Sequence, residues 1–365
     1  MQSLLRACQI LRTFSDASEC LRLSDVVQRT SLHKTTALRI LTALVQNGLL
    51  KRMGETKYRL NIRPLGQRRY KFGYGMQSAE FGFSRAVTES LLRSALAADV
   101  ELLVLDNQDS PKTALRNADI FVRERVDLVV ESQTDVRIAG QICACFRAAS
   151  IPVIALEIPH PETVYYGANN SQAGLIAGRY LARWADAHWQ GKADELLLLE
   201  LPRAGRVPNA RILGSMLGVL ERLVWFSERQ VKILRTSGHF ENTVALTRNY
   251  LRRSRAERIL VAAINDPCAL GALQAFRDTG REEHCAIVGH NASPESHSEL
   301  ARKGSRLIGS VGYFPERYGE GIIPLALDML AGRPIPPATF VHHEMVTPAN
   351  LRTYYPADST LDRNA

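Results

Sequence analysis

The sequence predicts an α/β protein in which a small N-terminal helix-turn-helix unit precedes two α/β lobes. The 365 residues exceed the size of one ordinary domain. Residues 1–70 contain 13 Lys and Arg against 4 Asp and Glu, whereas the other residues contain 33 of each sign, so a basic head precedes a neutral body. From residue 70 onward, strand-sized apolar segments alternate with helical segments, which is the pattern of parallel sheets covered by helices.

The composition is that of an ordinary globular protein. Apolar residues make up 45% and charged residues 23% of the chain, which excludes long disorder, collagen and a disulfide-stapled miniprotein. No segment approaches the roughly 18 apolar residues that span a membrane, and the first residues lack the unbroken apolar run of a secretory signal. We therefore expect a cytoplasmic protein that has no membrane partner.

The sequence indicates no catalytic residues, no metal site and no cofactor. Its six cysteines form no CxxC pair and no Cys/His metal spacing, so we expect buried, reduced thiols. The chain contains neither GxxxxGK[ST] nor GxGxxG after a strand, and neither a GxSxG elbow nor HExxH. An enzyme is therefore not expected.

Three helices are predicted in the basic head. Apolar spacing predicts a first helix over about residues 3–14, a short second helix behind Ser24 as its N-cap, and a third helix over 33–46 that ends at Asn47-Gly48. The apolar side of the third helix comprises Leu38, Leu41, Leu44 and Val45. Its other side is polar and basic, and a short helix, a tight turn and such an amphipathic helix form a helix-turn-helix.

A hairpin, or wing, is predicted directly after the third helix. Residues 50–53 and 57–60 alternate around a turn at 54–56. The apolar side of the hairpin carries Leu50, Tyr58 and Leu60, and its outer side carries Lys57 and Arg59.

A resemblance to a known family is carried by the segment LSDVVQRTSLHKTTALRILTALVQNGLLKRMGETKYRL. The segment resembles the winged helix-turn-helix of the IclR family of bacterial transcription regulators, and the resemblance covers about residues 1–65. It implies a DNA-binding domain over 1–62, and an arginine-rich linker follows over 63–69. His33 is a departure, because the family usually has proline where the recognition helix begins.

Double-stranded DNA is the partner expected for this domain. A helix N-terminus offers backbone N–H groups and hydroxyls to phosphates, and longer side chains to base edges. The residues expected in or near the major groove are Lys34, Thr35, Thr36 and Arg39. Arg39 is the best candidate for a guanine contact, and Lys57 or Arg59 for the minor groove or the DNA backbone. The alternative is a winged helix that contacts a protein and carries these charges on a solvated face.

The neutral body is predicted to consist of repeated βα units. The predicted strands include residues 70–76, 100–105, 126–130, 152–156, 196–200, 230–234, 258–262, 286–288 and 307–311, with a final strand near 339–346. This segment is too long for one sheet of five or six strands, so two α/β lobes are expected.

Seven phrases of the body occur in a characteristic order. They are RERVDLVVESQTD, SIPVIALE, YYGANNSQAGLIAGRYLARWA, NARILGSMLGVL, LVAAINDPCALGALQAFRDTGR, CAIVGHNASPES and IGSVGYFPERYGEGIIPLALDMLAG. Over about residues 68–350 the chain resembles a type I periplasmic sugar-binding protein and, equally, the effector domain of the LacI family.

This second resemblance implies two Rossmann-like lobes with a ligand in the cleft between them. Three crossovers between the lobes are expected near residues 158–164, 290–293 and 334–339. Lobe one is expected over about 70–160 and 292–333, lobe two over about 161–291 and 334–350, and a C-terminal tail over 351–365.

The same resemblance implies ligand-binding residues in the loops that follow the strands. The set comprises Gln77, Ser78, Phe81, Phe83, Gln133, Glu157, Asn209, Asn265, Asn291 and Tyr313. Amides and carboxylates hydrogen-bond to hydroxyls, and aromatic rings stack on the apolar face of a sugar. Glu157 and Asn291 stand where the family usually has Asp, and Ile158 stands where sugar binders often have Arg. A sugar, a sugar acid, a polyol and another small polar metabolite all stay open as ligands, and loop capping is the alternative role of each Asn, Gln or Ser.

Together these expectations describe a ligand-responsive transcription regulator that acts as a homodimer. Each head binds one half-site, the body dimerises, and a ligand that closes the lobes changes the affinity for DNA. Release of DNA by the ligand and recruitment to DNA both stay open. The alternatives are a cytoplasmic sensor whose winged helix contacts a protein partner, and an enzyme built on the two-lobed fold.

Overall fold

The computed structural model describes residues 2–15, 19–54, 56–61 and 69–356. The chain divides into two compact units, residues 1–69 and 70–365. Parts of three expected segments lie outside the described residues: Glu55 of the wing turn, residues 63–68 of the linker, and residues 357–365 of the C-terminal tail.

The first unit is a winged helix-turn-helix. Its elements are α1 (Gln2–Leu11), β1 (Cys20–Arg22), α2 (Leu23–Thr30), α3 (Lys34–Gln46), β2 (Leu50–Met53) and β3 (Lys57–Leu60). The three strands form an antiparallel sheet of order β1-β3-β2. Ile10, Val26, Leu41, Leu50 and Tyr58 share one apolar core, which joins all three helices to the sheet. The predicted helices and wing are confirmed, and β1 is a strand that the sequence analysis missed.

Local packing corrects two expectations in this unit. Ser24 is not the N-cap of α2, because Asp25 Oδ2 accepts the backbone N–H of Arg22 at 2.8 Å and Arg22 takes the cap position. Leu38 was expected on the apolar side of α3, but it is 43% exposed, since Ala37 occupies the inner position beside it. Helix α3 therefore presents an apolar side chain on its outer side.

The second unit contains two six-stranded sheets. Its strands are β4 (Lys71–Met76), β5 (Glu101–Asp106), β6 (Leu128–Glu131), β7 (Val153–Leu156), β8 (Val164–Gly167), β9 (Glu195–Glu200), β10 (Val231–Arg235), β11 (Ile259–Ala263), β12 (Cys285–Asn291), β13 (Leu307–Gly312), β14 (Ala338–Phe340) and β15 (Glu344–Val346). The first sheet is parallel, with the order β14-β8-β7-β6-β4-β5. The second has the order β10-β9-β11-β12-β13-β15, in which β15 runs antiparallel to β13. The expectation of two Rossmann-like lobes is confirmed.

Helices cover the sheets of this unit. They are α4 (Gly82–Ala97), α5 (Pro111–Arg123), α6 (Val136–Ala148), α7 (Asn170–Trp189), α8 (Arg206–Arg222), α9 (Phe240–Leu251), α10 (Asp266–Asp278), α11 (Pro294–Ala301), α12 (Tyr318–Leu330) and α13 (Leu351–Tyr354). In the first sheet, Phe72 shares a core with Leu91 of α4 and Ile322 of α12. A second core of this sheet lies around Phe121 of α5 and Phe146 of α6.

The lobe boundaries differ from the expected ones. Strands β8 and β14 belong to the first sheet, and β13 belongs to the second. Lobe one therefore comprises about residues 70–167 and 318–340, and lobe two comprises about 170–312 and 344–356. The expected bounds were wrong because β13 is buried and pairs with β12, so the second sheet is completed before the chain returns to lobe one.

The crossovers shift accordingly. They fall at residues 168–169, 313–317 and 341–343. The first and third lie only a few residues beyond the positions expected from the sequence, whereas the second lies about 20 residues beyond, because β13 belongs to lobe two. The second crossover leads into Tyr318, which packs in the core of lobe one.

Helices α7 and α8 touch backbone to backbone. A Cβ atom at Gly178 would lie 2.0 Å from the carbonyl oxygen of Ser215, and one at Gly174 would lie 2.1 Å from that of Arg211. Gly214 and Gly218 give α8 the same four-residue spacing of glycines that α7 has, which places them on one side of the helix. No larger side chain fits between the two helices, so they form one rigid layer of lobe two.

Candidate functional site

The predicted DNA-binding residues lie on two elements of the first unit, α3 and β3. Those that are exposed are Lys34, Thr35, Arg39 and Lys57, and those that are half-buried are Thr36 and Arg59. His33 Nδ1 lies 2.9 Å from Thr35 Oγ1 at the start of α3. Tyr58, which separates Lys57 from Arg59, is buried, so both basic residues lie on the other side of the strand.

A concavity of about 620 Å³ lies among the starts of α2 and α3 and the wing. Leu23, Val27, Leu38 and Tyr58 give it an apolar lining. Three basic residues also line it, namely Arg22, Lys34 and Arg52. Such a surface suits a DNA strand, because basic side chains contact phosphates and apolar side chains contact deoxyribose and thymine methyl groups. The sequence analysis missed Arg22 and Arg52 because it considered only α3 and the second strand of the wing.

The interlobe cleft contains two small cavities of about 50 and 90 Å³. Their walls come largely from loops at the carboxyl ends of parallel strands, where open α/β sheets bind ligands. The structure brings six of the ten predicted ligand-binding residues to these walls: Gln77, Phe81, Phe83, Glu157, Asn265 and Asn291.

The other four predicted residues, Ser78, Gln133, Asn209 and Tyr313, do not line either cavity. Asn209 Nδ2 donates to the carbonyl oxygen of Leu201 at 2.6 Å and so holds the turn before α8. Ser78 Oγ accepts the backbone N–H of Glu80 at 3.2 Å. Loop capping, the alternative considered for such residues, is what the structure shows for Asn209 and Ser78. Gln133 and Tyr313 are buried.

Asn265 has a structural task in addition to its place in the cleft. Its Oδ1 accepts the backbone N–H of Cys268 at 2.9 Å and so caps α10, while its Nδ2 donates to the carbonyl oxygen of Gly238 at 3.0 Å. An amide has two N–H donors and two lone pairs. One of each remains for a ligand.

Asp266 fixes the loops around the lobe-two wall. The buried carboxylate accepts the backbone N–H of Ser293 at 2.7 Å and the hydroxyl of Ser310 at 2.6 Å. Burial raises the pKa of Asp266 to about 6 against these hydrogen bonds. The bonds join the ends of β11, β12 and β13, which carry Asn265 and Asn291.

Arg211 is the main cleft residue that the sequence analysis did not select. This buried side chain donates from Nε to Asn170 Oδ1 at 2.8 Å and from Nη1 to the carbonyl oxygen of Ile264 at 3.1 Å. Its Nη2 lies 3.6 Å from Glu157 Oε2. Its guanidinium also stands 5.0 Å from the ring centre of Tyr313. An arginine within an otherwise apolar helix face was the available signal, since buried charge needs a partner.

Glu157 is the lobe-one partner of Arg211. Its Oε1 accepts the hydroxyl of Tyr318 at 2.6 Å and the backbone N–H of Ala168 at 3.1 Å. Burial raises the pKa of Glu157, and Arg211 and these donors oppose that rise. The pair gives the cleft one fixed cation and one acceptor, both of which suit hydroxyl groups.

A second contact joins the lobes through Asp109, in the loop after β5. Asp109 Oδ2 accepts from Nη2 of Arg203 and lies 2.9 Å from Nε2 of His239, and both of these residues belong to lobe two. Gln77 Nε2 donates to Asp109 Oδ1 at 3.4 Å. The ring of Phe81 packs against His239 at a centroid distance of 5.2 Å. The sequence analysis selected Gln77 and Phe81 but missed Asp109, because it carried no residue over from the loop after β5.

Glu131 is a buried carboxyl beneath the lobe-one wall. Its Oε1 accepts from Nδ2 of Asn107 at 2.9 Å, and Asn107 Oδ1 accepts from Asn117 at 2.9 Å. Burial raises the pKa of Glu131 to about 8, although the bond from Asn107 opposes the rise. The side chain is therefore protonated at neutral pH. Ser132, the next residue, lines the larger cavity.

Residues 2–15, 19–54, 56–61 and 69–356 contain neither a metal-binding cluster nor a membrane-spanning helix. No group of three or more His, Cys, Asp or Glu side chains there could hold a metal ion. No helix in the same residues is both long and apolar enough to cross a membrane. The cysteines differ from expectation in part, because Cys8 and Cys20 are exposed.

Comparison with known families assigns both units. Residues 72–334 match the model of the periplasmic binding protein domain, and the chain belongs to that family. Residues 3–54 match the model of the IclR helix-turn-helix domain. These are domains of solute-binding proteins and regulators. No curated protein matches the chain.

Solved structures show the same fold for the second unit. A periplasmic solute-binding protein of an ABC transporter from Actinobacillus succinogenes 130z, with bound D-allose, is 18% identical and has a TM-score of 0.67, covering 78% of this chain and 100% of its own. A solute-binding protein from Bacillus halodurans C-125, with bound myo-inositol, is 18% identical with a TM-score of 0.67, covering 81% and 99%. One from Mycobacterium smegmatis, with bound glycerol, is 17% identical with a TM-score of 0.68, covering 78% and 96%.

Asp109→Asn tests the contact between the lobes. The substitution removes the charge that Arg203 and His239 share, and charged hydrogen bonds contribute about 1.5–3 kcal/mol each. We expect the ligand-free protein to shift toward an open form with a larger radius of gyration, measured by small-angle X-ray scattering. Asp119→Asn, on the exposed side of α5, is the control. Equal scattering from both variants and the parent would show that Asp109 does not hold the lobes together.

Glu131→Gln tests the buried carboxyl through pH. The pKa is about 8 in the folded protein and about 4.3 in an unfolded chain. The free energy of unfolding is therefore highest below the pKa of the unfolded chain. It falls by about 1.4 kcal/mol per pH unit until the pH reaches the pKa of the folded protein. We expect the variant to gain stability over the parent between pH 5 and 8, measured by urea unfolding.

Glu124→Gln is the matched control for this experiment. Glu124 is exposed and its pKa is lowered by Lys71. Its titration therefore changes the free energy of unfolding only below the tested range of pH 5 to 8. A stability difference for Glu131→Gln that stays constant from pH 5 to 8 would contradict the raised pKa.

Proposed function

We propose that this protein is a transcription regulator whose binding to DNA is controlled by a small polar ligand held between the two lobes. The observation that carries the proposal is the presence of an IclR helix-turn-helix and a periplasmic binding protein domain in one chain. A transport protein has no use for the first domain, and the net positive charge of the first 70 residues favours DNA over a protein partner.

The DNA side of the proposal rests on exposed charge. The proposed contacts are Lys34, Thr35, Thr36 and Arg39 on α3, and Lys57 and Arg59 on the wing. The net charge of the first 70 residues supports them, as does the basic lining of the concavity. Leu38 adds an apolar contact to this face, which suits the methyl group of a thymine. A DNA-binding protein acts where the chromosome is, so the proposed compartment is the cytoplasm.

The ligand side rests on the cleft. The structural relatives hold D-allose, myo-inositol and glycerol, and the side chains here are amides, a carboxyl and an arginine, which hydrogen-bond to hydroxyls. The proposed ligand is therefore a sugar, a sugar acid or a polyol. The cavities of about 50 and 90 Å³ are smaller than the roughly 300–1,000 Å³ of ordinary ligand pockets. Entry of such a ligand requires the contacts of Asp109 to open.

A homodimer completes the proposal. One helix-turn-helix reads one half-site, and two heads related by a two-fold axis read a pseudo-palindrome. Coupling of about 1–3 kcal/mol between ligand and DNA changes affinity 5- to 150-fold, which is enough to switch a promoter. The same arrangement allows the ligand either to release the protein from DNA or to recruit it to DNA.

DNA binding is tested by fluorescence anisotropy with labelled genomic fragments taken from around the protein's own coding region. A regulator that makes about 6–10 phosphate contacts loses about 10³–10⁵ in affinity between 50 and 200 mM salt. Arg39→Ala is expected to cost about 1–3 kcal/mol and to relax one base position. Arg248→Ala, which changes an arginine of lobe two that pairs with Asp278, leaves binding unchanged.

Two results would count against the proposed DNA contacts. A protein that shows no salt-dependent binding to any duplex is not a DNA regulator, and its winged helix then serves a protein contact. Uniform weakening by Arg39→Ala at all sequences demotes Arg39 from a base contact to a phosphate contact.

Ligand binding is tested by a thermal-shift screen of sugars, sugar acids and polyols. A ligand at 100 times its Kd adds about 2.7 kcal/mol. Asn265→Asp keeps the oxygen that caps α10 but removes the amide donors. It should lower the affinity for the ligand about tenfold and leave DNA binding of the ligand-free protein unchanged. Asn242→Asp is the control, because Asn242 also caps through Oδ1 but lines neither cavity. Equal ligand affinity in both variants removes Asn265 from the site.

A further inference from the structure

Arg203 is a cleft residue whose hydrogen bonds are incomplete. It lies in the short 3₁₀ helix Pro202–Ala204 after β9 and lines the smaller cavity. Its Nη2 donates to Oδ2 of Asp109 and, at 3.0 Å, to the carbonyl oxygen of Ser237. Its Nε is buried and has no acceptor in the described part of the chain. A buried donor that has lost its bond to water and gained no partner is unfavourable, so this N–H marks a place for an acceptor from outside the chain.

The Nε and Nη2 atoms form one edge of the guanidinium, and that edge binds carboxylates. Arg179 shows the complete arrangement: its Nε donates to one carboxylate oxygen of Glu221 at 2.7 Å, and its Nη2 donates to the other at 3.0 Å. At Arg203 only half of the edge is used, because Asp109 accepts from Nη2 and leaves Nε. A carboxylate in the plane of this edge would accept from both donors, whereas a hydroxyl offers them only one oxygen.

Asp109 reaches Arg203 from lobe one through a strained turn. Gln108 and Asp109 have φ angles of 54° and 49°, in the left-handed region, which costs a residue with a side chain more than it costs glycine. The backbone N–H of Asp109 donates to the carbonyl oxygen of Gln77 at 2.8 Å and so fixes the turn. Backbone strain of this kind is found at ligand clamps and switch regions. Here it places a carboxylate of lobe one on a cation of lobe two.

We propose that Arg203 determines the specificity of the cleft by binding a carboxylate group of the ligand, which makes the ligand a sugar acid. Asp109 holds the place of that carboxylate until the ligand binds. The proposal rests on the proposed function, because it concerns the ligand of the same cleft. A ligand carboxylate that displaces Asp109 leaves Arg203 paired with a negative charge. A neutral sugar that opened the same contact would leave a partly buried cation without its counter-charge, which is unfavourable.

Glu295 limits the ligand to one carboxylate group. This residue of the first turn of α11 lines the same cavity as Arg203, and its Oε2 is buried with no donor among the described residues. The oxygen lies against the first residue of α4, since a Cβ atom at Gly82 would be 2.0 Å from it. A carboxylate in this position accepts from a hydroxyl group and repels a second carboxylate. The cavity therefore suits a molecule with one acid group and neighbouring hydroxyl groups.

Isothermal titration calorimetry of the full-length protein with matched pairs of compounds tests the proposal. The pairs are D-galacturonate with D-galactose, D-glucuronate with D-glucose, and D-gluconate with D-glucitol, and the members of a pair differ only in a carboxylate in place of a CH2OH group. We expect at least one acid to bind about tenfold or more tightly than its neutral partner. Arg203→Gln should remove most of this preference, because it lowers the affinity for the acid and changes the affinity for the neutral compound little.

Asp109→Asn should have the opposite effect, which a loss of folding would not produce. The ligand no longer has to displace a carboxylate from Arg203, so the affinity for the acid should rise about fivefold or more. Asp119→Asn and Arg235→Gln are the matched controls, because both residues lie outside the two cavities, and Arg235 pairs with Glu200 in lobe two. Both controls should leave the affinity for the acid unchanged. Circular dichroism and thermal unfolding show whether each variant is folded.

The proposal fails if no acid of the panel binds, if the neutral member of each pair binds as tightly as the acid, or if Arg203→Gln weakens both members of a pair equally. A lower affinity for the acid in Asp109→Asn would overturn the role of Asp109 as a stand-in. Binding of neutral sugars alone would overturn this inference and leave the proposed function intact. An acid that binds as expected but does not change DNA binding, measured by fluorescence anisotropy, would count against the proposed function alone.

Discussion

The buried pair of Glu157 and Arg211 is the interaction on which the cleft depends. Glu157 comes from lobe one and Arg211 from lobe two, so the pair spans the junction of the two sheets. Each charge loses its water on burial, and each recovers hydrogen bonds: Glu157 from Tyr318 and Ala168, Arg211 to Asn170 and Ile264. Removal of either partner would leave the other charge buried without its counter-charge, which costs more than the pair contributes.

This pair also explains why two chain crossovers are held so closely. Ala168 lies in the first crossover, and Tyr318 follows the second. Both donate to the same carboxyl oxygen of Glu157. Because Glu157 ties these two crossovers together, the lobes separate at the rim of the cleft, away from the crossovers. The contact of Asp109 with Arg203 and His239 also joins the lobes, and the side chains of Arg203 and His239 are more exposed than that of Arg211.

Much of the architecture could be predicted, because it follows from periodicity. Alternation of apolar and polar residues located the wing, and repeated βα spacing located both sheets. The lobe boundaries could not be predicted in the same way, since the sequences of β8, β13 and β14 do not show which sheet each strand joins. Their sheet is decided by pairing partners far away in the chain.

The cleft shows the same division. Residues that follow strands, such as Gln77 and Asn291, reached the cavity walls because topology puts all strand ends at one edge. Ser78 also lies in such a loop, but its hydroxyl bonds to the neighbouring backbone. Asn209 was expected in a loop but lies in the first turn of α8, where its amide bonds to the backbone of Leu201 and Gly205. Arg211 and Asp109 owe their importance to partners in the opposite lobe. A single sequence does not display contacts of that kind.

The glycine contact between α7 and α8 has a mechanical consequence. Two helices that meet through their backbones cannot bend or slide independently, so they behave as one plate. Arg211 sits on the cleft side of that plate, and Leu213 and Leu217 sit on its outer side, within two turns of Arg211. Any movement of α8 that follows from displacement of the guanidinium would therefore carry α7 with it, because the close backbone contact leaves no room for the two helices to slide past each other.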